Sequence, residues 1–231
     1  MTLRDIFYTI PKTSDKWDRY FDVYDRHLAK FKGKNITFIE VGVQNGGSLE
    51  MWSRYFGPES KLYGIDIDPK CAELQYDNPN IKIIIGDQSS EEFWDKTISE
   101  IGFIEVMVED GGHRMDQQIM TFEKVFPIVN SGGVYICEDT HTSYWNTFGG
   151  GYKNMASFIE YSKDFADVVH YDFLENGHGQ IENKFNISKG LSSVAFYDSM
   201  VVFEKSSLVE MKRVCNVETE KKDFVINGKL Y

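Results

Sequence analysis

The sequence predicts an α/β protein: a mostly parallel sheet that ends in a reversed β-hairpin, with helices on both faces. Three observations carry this. Through the first half of the chain, short β-branched runs alternate with longer amphipathic stretches, the pattern of successive βαβ units. Near the end, two short apolar strands flank Tyr197-Asp198-Ser199, a tight reversal. The 231 residues, 42% of them hydrophobic and 15% aromatic, suffice for one well-buried core but not clearly for two.

Residues 36–42 form the first strand candidate. Ser48 is placed to cap a helix carrying Leu49, Trp52 and Phe56 and stopped by Gly57-Pro58. Strands follow at 61–66 and 81–85. Ser89 and Glu92 have capping-box spacing ahead of a helix to about Ile101. Residues 103–108 read as the fourth strand, and the next helix aligns Met115, Ile119, Phe122 and Phe126 on one stripe. Gly132-Gly133 reads as a turn into a fifth strand, 134–137. Residues 152–164 read as helix, 167–173 as strand, 175–191 as loop and 193–205 as the hairpin. A helix near 15–31 gives the N-terminal helical segment (1–35), ahead of a core (36–206) and a charged C-terminal tail (207–231).

Composition narrows the function. A net charge of −11 argues against broad adhesion to nucleic acid or an anionic membrane. No apolar run reaches the roughly 18 residues of a membrane span, and Met1-Thr2-Leu3-Arg4-Asp5 does not open as a secretory signal, so a cytoplasmic location is expected. Cys71, Cys137 and Cys215 are too scattered for a disulfide framework or a zinc pattern and are expected to be reduced thiols.

In open α/β sheets ligands bind beyond the carboxyl ends of the strands. The first strand closes in Glu40-Val41-Gly42-Val43-Gln44-Asn45-Gly46-Gly47-Ser48, where glycines let the backbone approach a ligand and Glu40, Gly42, Gly46 and Ser48 are candidate contacts. Asp66, ending the second strand, can accept from both ribose hydroxyls. Asp87 and Gln88, ending the third, can meet an adenine edge. Each signal is ordinary alone; together they predict an adenosine-containing cofactor. NAD is the rival, but position 44 is Gln and the turn is not Gly-x-Gly-x-x-Gly, which ranks S-adenosylmethionine higher.

The fourth strand runs into Glu109-Asp110-Gly111-Gly112-His113 and the fifth into Glu138-Asp139-Thr140-His141. Parallel neighbours lie about 4.8 Å apart, so Asp110, Glu138 and Asp139 can converge as hard oxygen ligands, suited to Mg2+, Mn2+ or Ca2+ rather than zinc. A divalent ion lowers the pKa of a bound hydroxyl, and His113 is the candidate base, with His141 a competing base or a substrate contact. Tyr144, Trp145, Phe148 and Gly149-Gly150-Gly151 are read as an apolar lid on a sugar ring, with Tyr144 and Trp145 as substrate contacts.

At residues 40–49, 63–68, 86–89, 109–113 and 138–145 the chain resembles the mycinamicin- and macrocin-type macrolide-sugar O-methyltransferases, and the similarity runs from Ser14-Asp15-Lys16-Trp17 to about Lys205. The resemblance implies a Rossmann-like class I methyltransferase fold, S-adenosylmethionine and Mg2+ as cofactors, and transfer to a sugar hydroxyl. It also implies Asp110, Glu138 and Asp139 as metal ligands, His113 as base, and a homo-oligomer. Mn2+ is the other candidate ion. The acceptor is read as a nucleotide-activated, polysaccharide-precursor or antibiotic sugar, a small nucleotide-sugar being favoured over a whole macrolide. Two departures are expected: the extra N-terminal domain of larger members has no counterpart here, and Glu109 stands where aspartate is common. A hydroxylase-related protein on the same scaffold and a non-catalytic cofactor-binding module are the alternatives.

Overall fold

A computed structural model describes residues 1–206 together with 225–226 and 229–230. Seven strands form one sheet: β1 (Thr37–Val41), β2 (Lys61–Asp66), β3 (Ile81–Ile85), β4 (Ile104–Glu109), β5 (Val129–Cys137), β6 (Leu191–Tyr197) and β7 (Met200–Lys205). Their order is β3-β2-β1-β4-β5-β7-β6, parallel from β3 to β5 and antiparallel at β7 and β6. This is the expected parallel sheet with a reversed hairpin. Ser199 turns the hairpin at φ +65.

Successive strand residues point to opposite faces, and the core divides accordingly. Phe38, Val106, Val108, Val134 and Ile136 pack under α1 (Leu3–Phe7), α2 (Tyr20–Leu28) and α3 (Gly47–Tyr55). Ile39, Met107, Tyr135 and Phe203 pack under α4 (Glu91–Ile101), α5 (Met115–Val125), α6 (Phe158–Lys163), α7 (Phe165–Val169) and α8 (His178–Ile187). Trp52 and Trp94, both fully buried, anchor the two faces.

Several expectations are corrected. The N-terminal helix starts at Tyr20, not 15, and α1 precedes it. Ser48 does not cap α3: Gly46, at φ +82, is the cap, and the Ser48 hydroxyl inside the first turn donates to Glu40. Ser90 rather than Ser89 caps α4, accepting from Phe93 N, because Ser89 is drawn back to Asp87. Gly132-Gly133 is no turn but a register shift within β5, which begins at Val129. Residues 167–173 are helical, since Phe165 and Val168 bury one helix face together. The expected loop 175–191 contains α8, and residues 152–157 precede α6 without joining it. Cys71 and Cys137 are buried and free; Cys215 and most of the 207–231 tail lie outside the described residues, apart from the short antiparallel pair β8 (Val225–Ile226) and β9 (Lys229–Leu230). No described helix is long and apolar enough to cross a membrane.

Candidate active site

The sheet changes direction of growth at β1, which pairs with β2 on one side and β4 on the other. Loops leaving these strand ends diverge and open a crevice. A cavity of about 750 Å³ occupies it, lined by the loops after β1, β2, β3, β4 and β5 and by residues 13–17.

On the cofactor-type side the parts are locked by backbone. Asp66 Oδ2 accepts from Val43 N and Gln44 N, each at 2.9 Å, and Oδ1 accepts from Asp68 N at 2.9 Å. Burial pushes the Asp66 carboxyl up, but these three N–H groups win and hold it below its ordinary range. Gly42 sits at φ +93, and a Cβ there would lie 1.9 Å from Asp110 O, so only glycine lets the ends of β1 and β4 meet. Asp87 and Gln88 line the cavity, Asp87 also accepting from Ser89. Gln88 is tied down on both sides: its Nε2 donates to Glu109 Oε1 at 2.8 Å, and its Oε1 accepts from Gly112 N at 3.2 Å.

Glu40 is set back from the cavity. It is fully buried on the face under α3, its carboxylate accepting from Ser48 Oγ at 2.6 Å and Trp52 Nε1 at 3.0 Å. Burial pushes it up to about 7, against Lys16, Ser48 and Trp52, which pull the other way. Of the expected cofactor contacts, Gly42, Ser48, Asp66, Asp87 and Gln88 line the cavity, while Glu40 and Gly46 stand behind it.

The acidic centre follows from register. Val41 pairs with Glu109 and Glu109 with Cys137, so Gly42, Asp110 and Glu138 come next, side by side. The hydrogen bonds continue one residue further, Asp110 N to Val41 O and Glu138 N to Glu109 O. The pleat turns Glu109 and Cys137 to the α5 face, where Cys137 Sγ donates to Glu109 Oε2 at 3.1 Å. Glu109 therefore braces Gln88 and Gly111 from below, and burial raises its pKa. Asp110 and Glu138 face the other way, toward Lys16 and Tyr24, to which the residue pattern assigns no role.

The chief of these is Lys16. Its Nζ bonds Asp110 Oδ2 and donates to Glu138 Oε2 at 2.9 Å, with its side chain only 2% exposed. Burial works against the ammonium, but Asp110, Glu138 and Glu40 outweigh it and hold Lys16 charged. Glu138, 1% exposed, also takes the Tyr24 hydroxyl. Burial and then Asp110 drive its carboxyl well above the ordinary range, despite Lys16 and Tyr24. Tyr20 Oη donates to Asp139 Oδ1 at 2.6 Å and Trp17 Nε1 donates to the same oxygen at 3.1 Å. Lys16, Trp17, Tyr20 and Tyr24 come from the N-terminal segment.

Asp110, His113 and Asp139 bring one ligand-type atom each to within 4.8 Å of one another; Glu138, turned to Lys16 and Tyr24, is not in that group. His113 Nε2 lies 3.4 Å from Asp139 Oδ2, and its Nδ1 is buried without a partner. His141 lines the cavity too, its ring against Trp17 and Trp145. Tyr144 and Trp145, each about half exposed, are not among the lining residues, and Trp145 packs against His141, which is. Gly150 N and Gly151 N donate back to Trp145 O and Ser143 O, which ties the glycine run to the preceding 3-10 turn.

The donor set is suited to a hard divalent ion: Asp110 and Asp139 bring carboxylate oxygens to one point beside His113, and Glu138 adds another next to Asp110, with the Lys16 ammonium between the two.

This sheet order, with its crevice beside β1 and β4, is the class I methyltransferase fold. The chain is a relative of the macrolide-sugar O-methyltransferases. It is 31% identical over 202 residues to the 8-demethyl-8-alpha-L-rhamnosyl tetracenomycin-C 2'-O-methyltransferase of Streptomyces olivaceus, covering 83% of this chain and 52% of that one. It is 36% identical over 134 residues to the mycinamicin VI 2''-O-methyltransferase of Micromonospora griseorubida, covering 55% and 33%. It superposes with a TM-score of 0.75 on the MycE methyltransferase of the mycinamycin pathway, solved with Mg, SAH and mycinamycin VI; identity is 27%, over 88% of this chain and 52% of that one. The chain thus spans about half the length, or less, of these relatives. No family model matches it.

Proposed function

We propose that the chain is a metal-dependent sugar O-methyltransferase that takes its methyl group from S-adenosylmethionine. The observation that carries this reading is one cavity of about 750 Å³ reaching from the Gly42–Asp66–Asp87 loops to Asp110, His113 and Asp139. The relatives named above are all methyltransferases, which favours this reading over a hydroxylase or a binding module.

In this reading Asp66 receives the ribose hydroxyls, and Asp87 with Gln88 borders the base. The sugar hydroxyl attacks the methyl carbon; the new O–C bond forms as the C–S bond breaks, its electron pair staying on sulfur. The hydroxyl proton passes to His113 Nε2, because Nδ1 is buried, and Asp139 Oδ2 at 3.4 Å steadies the imidazolium. Asp110, Glu138 and Asp139 would hold a divalent ion, Mg2+ or Mn2+. When bound, it supplies a positive charge that acidifies and orients the acceptor hydroxyl. His141, Tyr144 and Trp145 border the acceptor ring. Among acceptors, a small nucleotide-activated sugar is favoured over a whole macrolide, and a homo-oligomer in the cytoplasm is the expected assembly.

The test is turnover of labelled S-adenosylmethionine on nucleotide sugars and rhamnosyl glycosides side by side, with and without chelator. Turnover that survives complete metal removal ends the metal-dependent reading. Calorimetry with no heat of binding for SAH ends the methyltransferase reading.

A further inference from the structure

We propose that the Lys16 ammonium is a resident counter-cation of the acidic centre and that a divalent cation binds by displacing it from Asp110 and Glu138. This rests on the metal-centre reading above. Lys16 Nζ holds Asp110 Oδ2 and Glu138 Oε2, which belong to two of the three carboxylates assigned to the ion. A hard dication and an ammonium compete for the same oxygens, and like charges forced together in a low-dielectric site repel strongly.

The arrangement also explains why a lysine is buried there. Without a cation, Asp110 and Glu138 would lie side by side at adjacent strand ends with the Tyr24 hydroxyl on Glu138 but no positive charge between them, a costly state for the buried Glu138 and its partly buried neighbour. Lys16 fills that role while the ion is absent. Its position suits it to withdraw: the residue lies between α1 and α2, outside any helix or strand, so its departure breaks no regular ladder.

Exchange would reach the cofactor side as well. The segment carrying Lys16 crosses the start of α3 so closely that a Cβ on Gly47 would lie 2.5 Å from Thr13 O. Thr13, Ser14 and Asp15 form part of the cavity wall. If the backbone at Lys16 shifts with its ammonium, the wall against which the methyl donor is read to lie shifts with it.

Two measurements test the exchange. In calorimetry with Mg2+, Lys16→Met is expected to bind at least about tenfold tighter than the unaltered chain. The metal-free variant should melt lower and recover as Mg2+ is added. Loss of any nearby positive charge also tightens binding, so the second measurement follows Lys16 itself. A buried, salt-bridged ammonium exchanges its protons slowly and gives a resolved signal in ¹⁵N-lysine-labelled protein, assigned by its absence in Lys16→Met. Saturating Mg2+ should remove that signal or move it to the position of solvent-exposed lysines. Mg2+ binding with the signal unchanged, or equal or weaker affinity in Lys16→Met, overturns the exchange and leaves the metal centre standing. Absence of Mg2+ binding to both proteins overturns the two together.

Discussion

His113 Nε2 faces Asp139 Oδ2 across 3.4 Å, and both residues hold left-handed backbone, φ +54 and +51. Non-glycine residues rarely occupy that region, and each instance costs on the order of 1–3 kcal/mol. Gln44, in the loop after β1, is a third at φ +48, so three strained positions ring one cavity. Such strain is retained where the surrounding structure over-determines it, and here it aims side chains from two strand ends at one point.

If His113 takes the acceptor proton, His113→Ala lowers kcat by about 10²–10⁴-fold and leaves SAH affinity within about twofold. Steady-state kinetics and calorimetry on the same preparation decide it. Turnover within tenfold of the unaltered enzyme would transfer the role to another group, His141 first.

Asp66 has a different signature. Its carboxylate fixes Val43 and Gln44 while its edge borders the cavity, so Asp66→Ala loosens the turn and removes a ribose acceptor together. SAH is expected to bind at least about tenfold more weakly, with the fold retained by circular dichroism. An unchanged Kd would mean that the nucleoside lies elsewhere.

Much of this was legible from residue patterns, and the gaps have physical causes. The strands 61–66 and 81–85 were readable to the residue because turn signals bracket each closely, Gly57-Pro58 and Asp68-Pro69 around the first, Asn78-Pro79-Asn80 and Gly86-Asp87 around the second. The helix α8 was not, since only Ile181 is buried on it and no apolar stripe marks it. At 167–173, Val168-Val169 favour a strand locally, but burial of Phe165 and Val168 on one helical face prevails. Asp110, His113 and Asp139 were legible because strand ends in parallel sheets must be neighbours. Lys16 was not: it meets Asp110 and Glu138 across 94 and 122 residues of chain, and no local periodicity encodes such a contact.

Glu40 makes stability depend on pH. Unfolded, it ionises near 4.5; folded, burial moves it to about 7. Between those values the native protein keeps a proton that the unfolded chain has released, so stability falls as pH rises from about 4.5 through 7. The loss attributable to this group is about 3 kcal/mol. Urea unfolding of the metal-free protein at pH 5 to 8 should show a downward slope that is flatter in Glu40→Gln. Equal slopes in the two proteins would assign the titration to other buried carboxyls.

Gly42 tests whether the contact between β1 and β4 carries the acidic centre. An alanine there is strained at φ +93, and its Cβ would sit 1.9 Å from Asp110 O and 2.7 Å from Asp110 C, backbone atoms that can yield only if the end of β4 moves. Gly177 is the control, at φ +85 and ψ +1 with nothing within 4 Å of an added Cβ. Gly177→Ala should therefore cost only the backbone strain, about 1 kcal/mol. Gly42→Ala adds the collision and should cost about 2–4 kcal/mol. Because Asp110 is displaced with its backbone, Mg2+ affinity should fall in Gly42→Ala alone. Equal losses of stability in the two variants, with Mg2+ affinity the same in both, would show that the closeness of these strand ends does nothing for the carboxylate beyond them.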